Sequence, residues 1–300
     1  MGALQEKGSP GQPAIHQPCS LQEAWELRVA LGSSALYISG GTLLRTQWDA
    51  GTVPIPDHLI DLRGIEGIRE ILVTELYLSL GALTPLSFCR KNNDLRGLAP
   101  AIQEAVRGIA APSIRNLATI GGNIASGFGD ILPALLVYDA EILTFDGKFF
   151  TVHSLTDWLN KRWFGGRSAT DIIAEIRIPY PVEAPEEVSK IEVYHKIGRR
   201  EAFTPSLVTV GITAEIDSLN RLRRVRIAAG GGSGRPQRLS TAESLLEGYI
   251  YEERLLPFVY EAAVNEFETY SDPFATEAYK KKTAGNLIVS EFWRFFNRRK

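Results

Sequence analysis

The stretch IRNLATIGGNIASGFGD, residues 114–130, crowds Arg, Asn, Thr, two adjacent glycines, Ser and Asp into one turn-rich run just ahead of the apolar segment ILPALLVY. Polar and glycine chemistry set against a buried element calls either for a tight structural turn or for a ligand. Glycines suit the second use because the chain can take positive φ and no Cβ blocks an anion from converging backbone N–H groups. Two further clusters compete for the same role, YISGGTLLR at 37–45 and AAGGGSGRP at 228–236. The first follows an apolar strand pattern and adds the hydroxyl of Thr42. The run at 119–126 has Thr119 before its glycines and Asn123 and Ser126 after them. The third ends in Arg235-Pro236 ahead of a polar stretch and reads as a loop. Each could be no more than a turn, and none fits GxGxxG or GxxxxGK[ST], so neither a Rossmann unit nor a P-loop is supported. Two donor-rich glycine loops far apart in sequence suit a long diphosphate ligand lying between two subdomains. Asp130 reads in two ways, as the N-cap of the following helix or as an acceptor for ligand hydroxyls.

Composition frames this reading. A chain of 300 residues, 44% apolar, can bury one large core or two modest ones, which implies two or three subdomains. A net charge of -2 gives no general attraction to nucleic acid or to an anionic membrane. Residues 1–13 read as a flexible leader without the apolar core of a secretion signal, and no apolar run reaches the roughly 18 residues of a membrane span. Cys19 and Cys89 stand far apart with no CxxC or His partner, so neither a disulfide framework nor a metal site is indicated. Idle thiols in a reducing cytoplasm are the simpler expectation.

Periodicity then orders the chain. SLQEAWELRVAL has helical spacing, an N-capping serine and a closing Gly32. ALYIS, HLIDLRG and IREILVTELYLSLGAL read as strands, and PLSFCRK, LAPAIQEAVRGIA and ILPALLVYDA as helices. AEILTF and KFFTV form a hairpin through Asp146-Gly147. DIIAEIRIPY is another strand. Pro179, Pro181 and Pro185 with VEAPEE mark a boundary near 180–188, which gives one domain over 14–180 and another over 188–300. The second holds a three-stranded antiparallel sheet, KIEVYHKIG, SLVTVGITAEID and LRRVRIAAGG, followed by helices.

Taken in order, SGGTLL, LIDLRGIEGIREI, LGALTPL, IAAPSIRNLATIGGNIAS with its GD and LPALL, DIIAEIRIP, YHKIGRREAFTPSLVTVGI and RIAAGGGSGRPQRLSTAESLLEG resemble the FAD-binding subunit of molybdenum hydroxylases. That group includes the flavin subunit of xanthine dehydrogenase and the medium chain of aerobic carbon monoxide dehydrogenase. The resemblance implies an α+β fold: a PCMH-type, vanillyl-alcohol-oxidase-like FAD-binding domain of two α+β subdomains, then a carbon-monoxide-dehydrogenase-flavoprotein C-terminal-like domain with a three-stranded sheet and helices. It implies FAD as cofactor, with Ile38, Ser39, Gly40, Gly41, Thr42, Leu43 and Leu44 wrapping the diphosphate together with Thr119, Gly122 and Asn123. Ser126 would sit near the diphosphate and Asp130 would bind ribityl or ribose hydroxyls. Ala110 would line the adenosine side, Ile173 pack on the isoalloxazine and Lys196 lie close to the flavin. For Lys196 the residues alone also allow a solvated strand lysine. The sequence departs from the family pattern at Leu43, commonly polar, at Asp171, commonly Glu, at Ile109, an aromatic in some members, and in the shortened ASGFGD.

The same resemblance implies an electron-transferring subunit, xanthine-dehydrogenase-like in the first instance, with a [2Fe–2S] subunit and a molybdenum-cofactor subunit as partners and NAD or another acceptor as outlet. A medium subunit of a carbon monoxide or aldehyde dehydrogenase, a self-contained flavoprotein oxidase and a flavin-free assembly subunit are the alternatives. No residue of this chain is expected to act on the hydroxylated substrate.

Overall fold

The computed structural model describes residues 12–165, 170–180, 188–200 and 205–298. Residues 1–11 of the expected leader and Pro181 and Pro185 of the expected boundary lie outside them.

The first unit is a parallel sheet of β1 (Ala14–His16), β3 (His58–Asp61) and β2 (Ala35–Ile38), in that spatial order. It packs against α1 (Leu21–Leu31), whose start is fixed by Ser20 accepting from the Glu23 N–H. The short helix α2 (Thr42–Asp49) leaves the end of β2. The second unit is an antiparallel sheet ordered β4 (Ile71–Val73), β5 (Tyr77–Gly81), β8 (Ile172–Pro179), β6 (Glu141–Phe145) and β7 (Phe150–Ser154). Its core gathers Leu78, Leu80, Ile124, Leu135, Trp158 and Ile176. The helices on it are α3 (Leu86–Lys91), α4 (Asn93–Leu98), α5 (Pro100–Arg107), α6 (Pro112–Leu117), α7 (Ile120–Ser126), α8 (Leu132–Leu136) and α9 (Leu155–Phe164). The third unit is the antiparallel sheet of β9 (Ser189–Gly198), β10 (Ser206–Ile216), β11 (Leu222–Gly231) and β12 (Gly234–Arg238). It is covered by α10 (Ser240–Ser244), α11 (Leu256–Glu266) and α12 (Glu277–Asn297), around Val210, Ile212, Ile227, Phe267 and Phe292. Among the described residues no helix is long and apolar enough to cross a membrane.

Three expectations change in detail. The run TIGGNIAS is not a turn but helix α7, capped by Thr119, whose Oγ1 accepts from the Gly122 N–H at 3.1 Å. Gly121 and Gly122 keep helical φ, and the glycine at 121 is there because a Cβ would meet Ala82 at 2.7 Å. The expected three C-terminal strands are present as β9, β10 and β11, and β12 adds a fourth. AAGGGSGRP, read as a loop, is the β11–β12 hairpin; Pro236 is tolerated because β12 is an edge strand.

Helix α8 joins the second and third units. All five of its residues are buried, and the third sheet comes so close that a Cβ on Gly211 would lie 2.8 Å from the Pro133 carbonyl oxygen. Thr213 Oγ1 donates to the Val137 carbonyl at 2.8 Å, and Arg226 and Arg238 both pair with Asp139, just beyond the helix. The Gly211→Ala chain is expected to lose about 1–3 kcal/mol of stability by overpacking this contact. A urea midpoint equal to that of the parent protein would show that the α8 contact gives way freely.

Candidate functional site

Strand β2 ends at Ile38, and the chain then passes Ser39, Gly40 and Gly41 into α2. Gly41 holds φ +64, a left-handed conformation open to glycine, and the helix it begins has no side-chain cap. The first-turn N–H groups of Thr42, Leu43 and Leu44 therefore precede any intrahelical acceptor; the helical ladder begins with Arg45 N–H to Gly41 O at 2.8 Å. Leu43 is 47% exposed and adds no polar contact.

The second glycine segment lies directly against the first. A Cβ on Gly40 would fall inside the Leu117 carbonyl, so only glycine allows the two backbones to approach this closely. Ser39 Oγ and Thr119 Oγ1 are 3.0 Å apart, although 80 residues separate them in sequence. A Cβ on Gly122 would crowd that same pair, at 3.2 Å from Ser39 Oγ and 3.0 Å from Thr119 Oγ1. The amides of α7, unlike those of α2, are already engaged: Ile120 donates to Thr84 O, Gly121 to Ala82 O, Gly122 to Thr119 Oγ1 and Asn123 to Thr119 O. The second segment thus offers space, hydroxyls and the Asn123 amide, and the first offers backbone donors. Asn123 Oδ1 is buried without a hydrogen-bond partner, an arrangement costly enough to point to a missing donor.

From Asn123 the wall continues to Asp130, because Gly129 packs so tightly on the Asn123 side chain that no Cβ would fit. Asp130 is not an N-cap. Helix α8 is preceded by Ile131 without side-chain capping, while the Asp130 carboxylate turns toward the third unit. Its Oδ2 pairs with Lys196 Nζ at 2.8 Å and its Oδ1 accepts from Ser206 Oγ at 2.5 Å. Lys196 is no solvated strand lysine; its side chain is 9% exposed, and Nζ also donates to Gly108 O at 2.8 Å. Ala110, two residues on, has φ +44, and its carbonyl and that of Ile109 both accept from the buried Arg115 guanidinium. Tyr194 donates to the Asp130 backbone carbonyl at 2.7 Å. Burial first, and the Asp130 charge second, raise its phenol pKa well above the ordinary value, so it stays a neutral donor across the working pH range.

The structure thus gathers Ile38, Ser39, Gly40, Gly41, Thr42, Leu43, Leu44, Thr119, Gly122 and Asn123 in one cluster, and Asp130, Lys196 and the Ala110 segment in an adjoining one. Two residues enter less directly. Ser126 directs its hydroxyl to the Asn123 carbonyl at 2.6 Å, and Ile173 lies in the central core on β8. Ser206, Tyr194 and Arg115 also support the site; all three lie within the quoted motifs, but their residue types alone assign them no role there.

Glycine-permitted close approach, uncapped amides and a polar wall between packed units define a protein suited to hold an anionic ligand. Residues 10–181 match the FAD binding domain in molybdopterin dehydrogenase, and residues 192–294 match the CO dehydrogenase flavoprotein C-terminal domain. Similar proteins include the nicotinate dehydrogenase FAD-subunit of Eubacterium barkeri, 25% identical over 70% of this chain and 71% of the relative. The carbon monoxide dehydrogenase medium chain of Hydrogenophaga pseudoflava is 27% identical over 93% and 95% respectively. In fold, the chain resembles the structure of reconstituted CO dehydrogenase from Oligotropha carboxidovorans, with a TM-score of 0.85 at 23% identity, covering 94% of this chain and 97% of that one. The chain belongs to the FAD-binding subunit family of the molybdenum hydroxylases, and FAD is its cofactor.

The residues present fit that cofactor: a cradle that Cβ atoms would fill, free amides for a diphosphate and an unpartnered acceptor at Asn123. Gly122→Val should weaken FAD retention by at least about tenfold, since the side chain would occupy the space between Ser39 and Thr119. Full FAD content in a folded Gly122→Val chain would remove this glycine from the site.

Proposed function

We propose that this chain is the electron relay of a heteromeric molybdenum hydroxylase, with FAD held by residues 38–44 and 119–123, Asp130, Lys196 and the Ala110 segment. The observation that carries the reading is the meeting of the two glycine segments at Ser39 and Thr119, which joins a strand-to-helix turn and a helix start into one cradle. The N–H groups of Thr42, Leu43 and Leu44 would face the diphosphate, and the partial positive charge of a helix start favours an anion there. The remaining acceptor capacity of Asp130 would take cofactor hydroxyls. Lys196 would hold that carboxylate in place. Ala110 would line the adenosine side, with Arg115 holding its backbone, while Ile173 would supply apolar packing from β8 and Ser126 would brace the turn after Asn123. When bound, FAD supplies the ability to accept single electrons and to pass on two together.

Electrons would enter from a partner carrying [2Fe–2S] clusters, fed by a molybdenum-cofactor subunit, and would leave to NAD or another acceptor. A [2Fe–2S] cluster takes four protein ligands, usually cysteines, and these 300 residues hold two cysteines, the buried Cys89 and the exposed Cys19. The expectation of a xanthine-dehydrogenase-like assembly has no specific support in the two relatives described above, which are named for nicotinate and carbon monoxide dehydrogenation. The oxidised substrate is a property of the partner in this reading.

The purified chain should be yellow and release FAD on denaturation. Offered xanthine, nicotinate, an aldehyde or carbon monoxide without oxygen, it should leave the flavin absorbance unchanged. Bleaching should require added iron–sulfur and molybdenum subunits. Direct bleaching of the isolated chain by any of these substrates would overturn the relay and favour a self-contained oxidase.

A further inference from the structure

The third glycine cluster, residues 228–236, takes no part in the cradle, yet it ends against the same carboxylate. Gly231 and Gly232 hold φ of +91 and +57 at the β11–β12 turn, conformations in which other residues are strained. This turn aims the Gly232 N–H at Ser206 Oγ, 3.3 Å away. A backbone N–H can only donate, so Ser206 must accept from Gly232. The single hydroxyl hydrogen is then left for Asp130 Oδ1, at 2.5 Å, which as a carboxylate oxygen can only accept. Ser206 is 5% exposed, so water does not compete for either bond. Lys196 holds the other carboxylate oxygen, and Tyr194 holds the backbone carbonyl of the same residue. Every one of these groups belongs to β9, to β10 or to the β11–β12 hairpin, whereas Asp130 belongs to the cofactor-holding unit.

We propose that Ser206, oriented by the Gly231-Gly232 turn, is a positioning residue for FAD binding. It fixes the rotamer of Asp130, and through it FAD affinity depends on the docking of the C-terminal sheet. The inference rests on the role given to Asp130 above. Two acceptor positions on the carboxylate are occupied by Ser206 and Lys196, and the remaining lone pairs face where that fixed rotamer directs them. Without the Ser206 bond, the carboxylate turns toward Lys196 alone and loses its setting for a hydroxyl ligand.

The test titrates FAD into the apo form of the full chain for Ser206→Ala, Asp130→Ala and the double variant, and records the visible circular dichroism of the bound flavin. Ser206→Ala should raise the FAD Kd about tenfold, in the range expected for losing a hydrogen bond to a charged group. The double variant should bind no more weakly than Asp130→Ala, because Ser206 acts only through that carboxylate. The dichroism of Ser206→Ala should shift toward that of Asp130→Ala. Fully additive losses, or a Ser206→Ala chain with parental Kd and dichroism, would overturn the proposal. If Asp130→Ala binds FAD normally, the role of Asp130 itself fails and this inference falls with it. If Asp130→Ala weakens binding while Ser206→Ala does not, only the inference falls. Should Ser206→Ala fail to fold, Ser206→Cys, which keeps a small side chain but replaces the hydroxyl with a weak donor, is read by the same criteria.

Discussion

The closest backbone approach in the site, Gly40 against the carbonyl of Leu117, is the constraint on which its geometry depends. It brings the chain just beyond a parallel strand of the first unit onto the junction between α6 and α7 of the second. Any side chain at 40 would hold the two apart, and the 3.0 Å contact between Ser39 and Thr119 could not form. Everything else in the cradle follows from that approach. Gly41 turns the chain so that α2 begins with free amides, while Thr119 and the carbonyls of Ala82 and Thr84 satisfy the first amides of α7. The two glycine segments, similar in sequence, therefore contribute unlike chemistry. One presents donors and the other presents room.

The third unit completes the site from behind. Helix α8 is buried on every residue, and charges at its two ends, Asp130 and Asp139, are both paired with cations of the C-terminal sheet. The Lys196–Asp130 pair is the more consequential because both side chains are mostly withdrawn from water. A desolvated pair gains little over an apolar substitute, but removing one partner leaves a charge with poor solvation. Nζ of Lys196 also satisfies the Gly108 carbonyl, so a single ammonium ties together β9, the end of α5 and the turn before α8. Such a bond set fixes orientation more than it adds stability. Orientation is what a cofactor wall requires.

This arrangement also explains why the chain carries three glycine clusters with three different jobs. At 40–41 glycine permits backbone contact and a left-handed turn. At 121–122 it permits packing inside a helix, with φ values any residue could adopt. At 231–232 it permits a positive-φ hairpin whose N–H reaches Ser206. A shared composition conceals these differences until neighbours are in place, since what forbids a Cβ is another segment of chain and not the local conformation alone.

Much of the fold was legible in the sequence because it rests on short-range chemistry. The Ser20 cap, the Asp146-Gly147 hairpin, the alternation in β8 to β11 and the order of the motifs all declare themselves within a dozen residues, and the cofactor class follows from that order. Ser39, Gly40, Thr119 and Gly122 were legible as a set through the family resemblance that the ordered motifs carry. Other features depended on contacts across long sequence separations. TIGGNIAS read as a turn because helix propensity penalises glycine, yet packing on Ala82 and the Thr119 cap outweigh that local penalty. Asp130 stood open between a helix cap and a ligand acceptor because capping is a local rule, whereas its partners lie 66 and 76 residues away. Lys196 carried the pattern of an exposed strand residue, and Ser206 carried none. The sequence by itself determined most of the elements and the two glycine segments, because these follow from nearest-neighbour geometry, and its ordered motifs carried the resemblance that implies FAD. Only the tertiary structure decided which donors remain free, which carboxylate oxygen meets which partner and how the C-terminal sheet supports the site, because burial and hydrogen-bond satisfaction are properties of segments brought together, not of either segment alone.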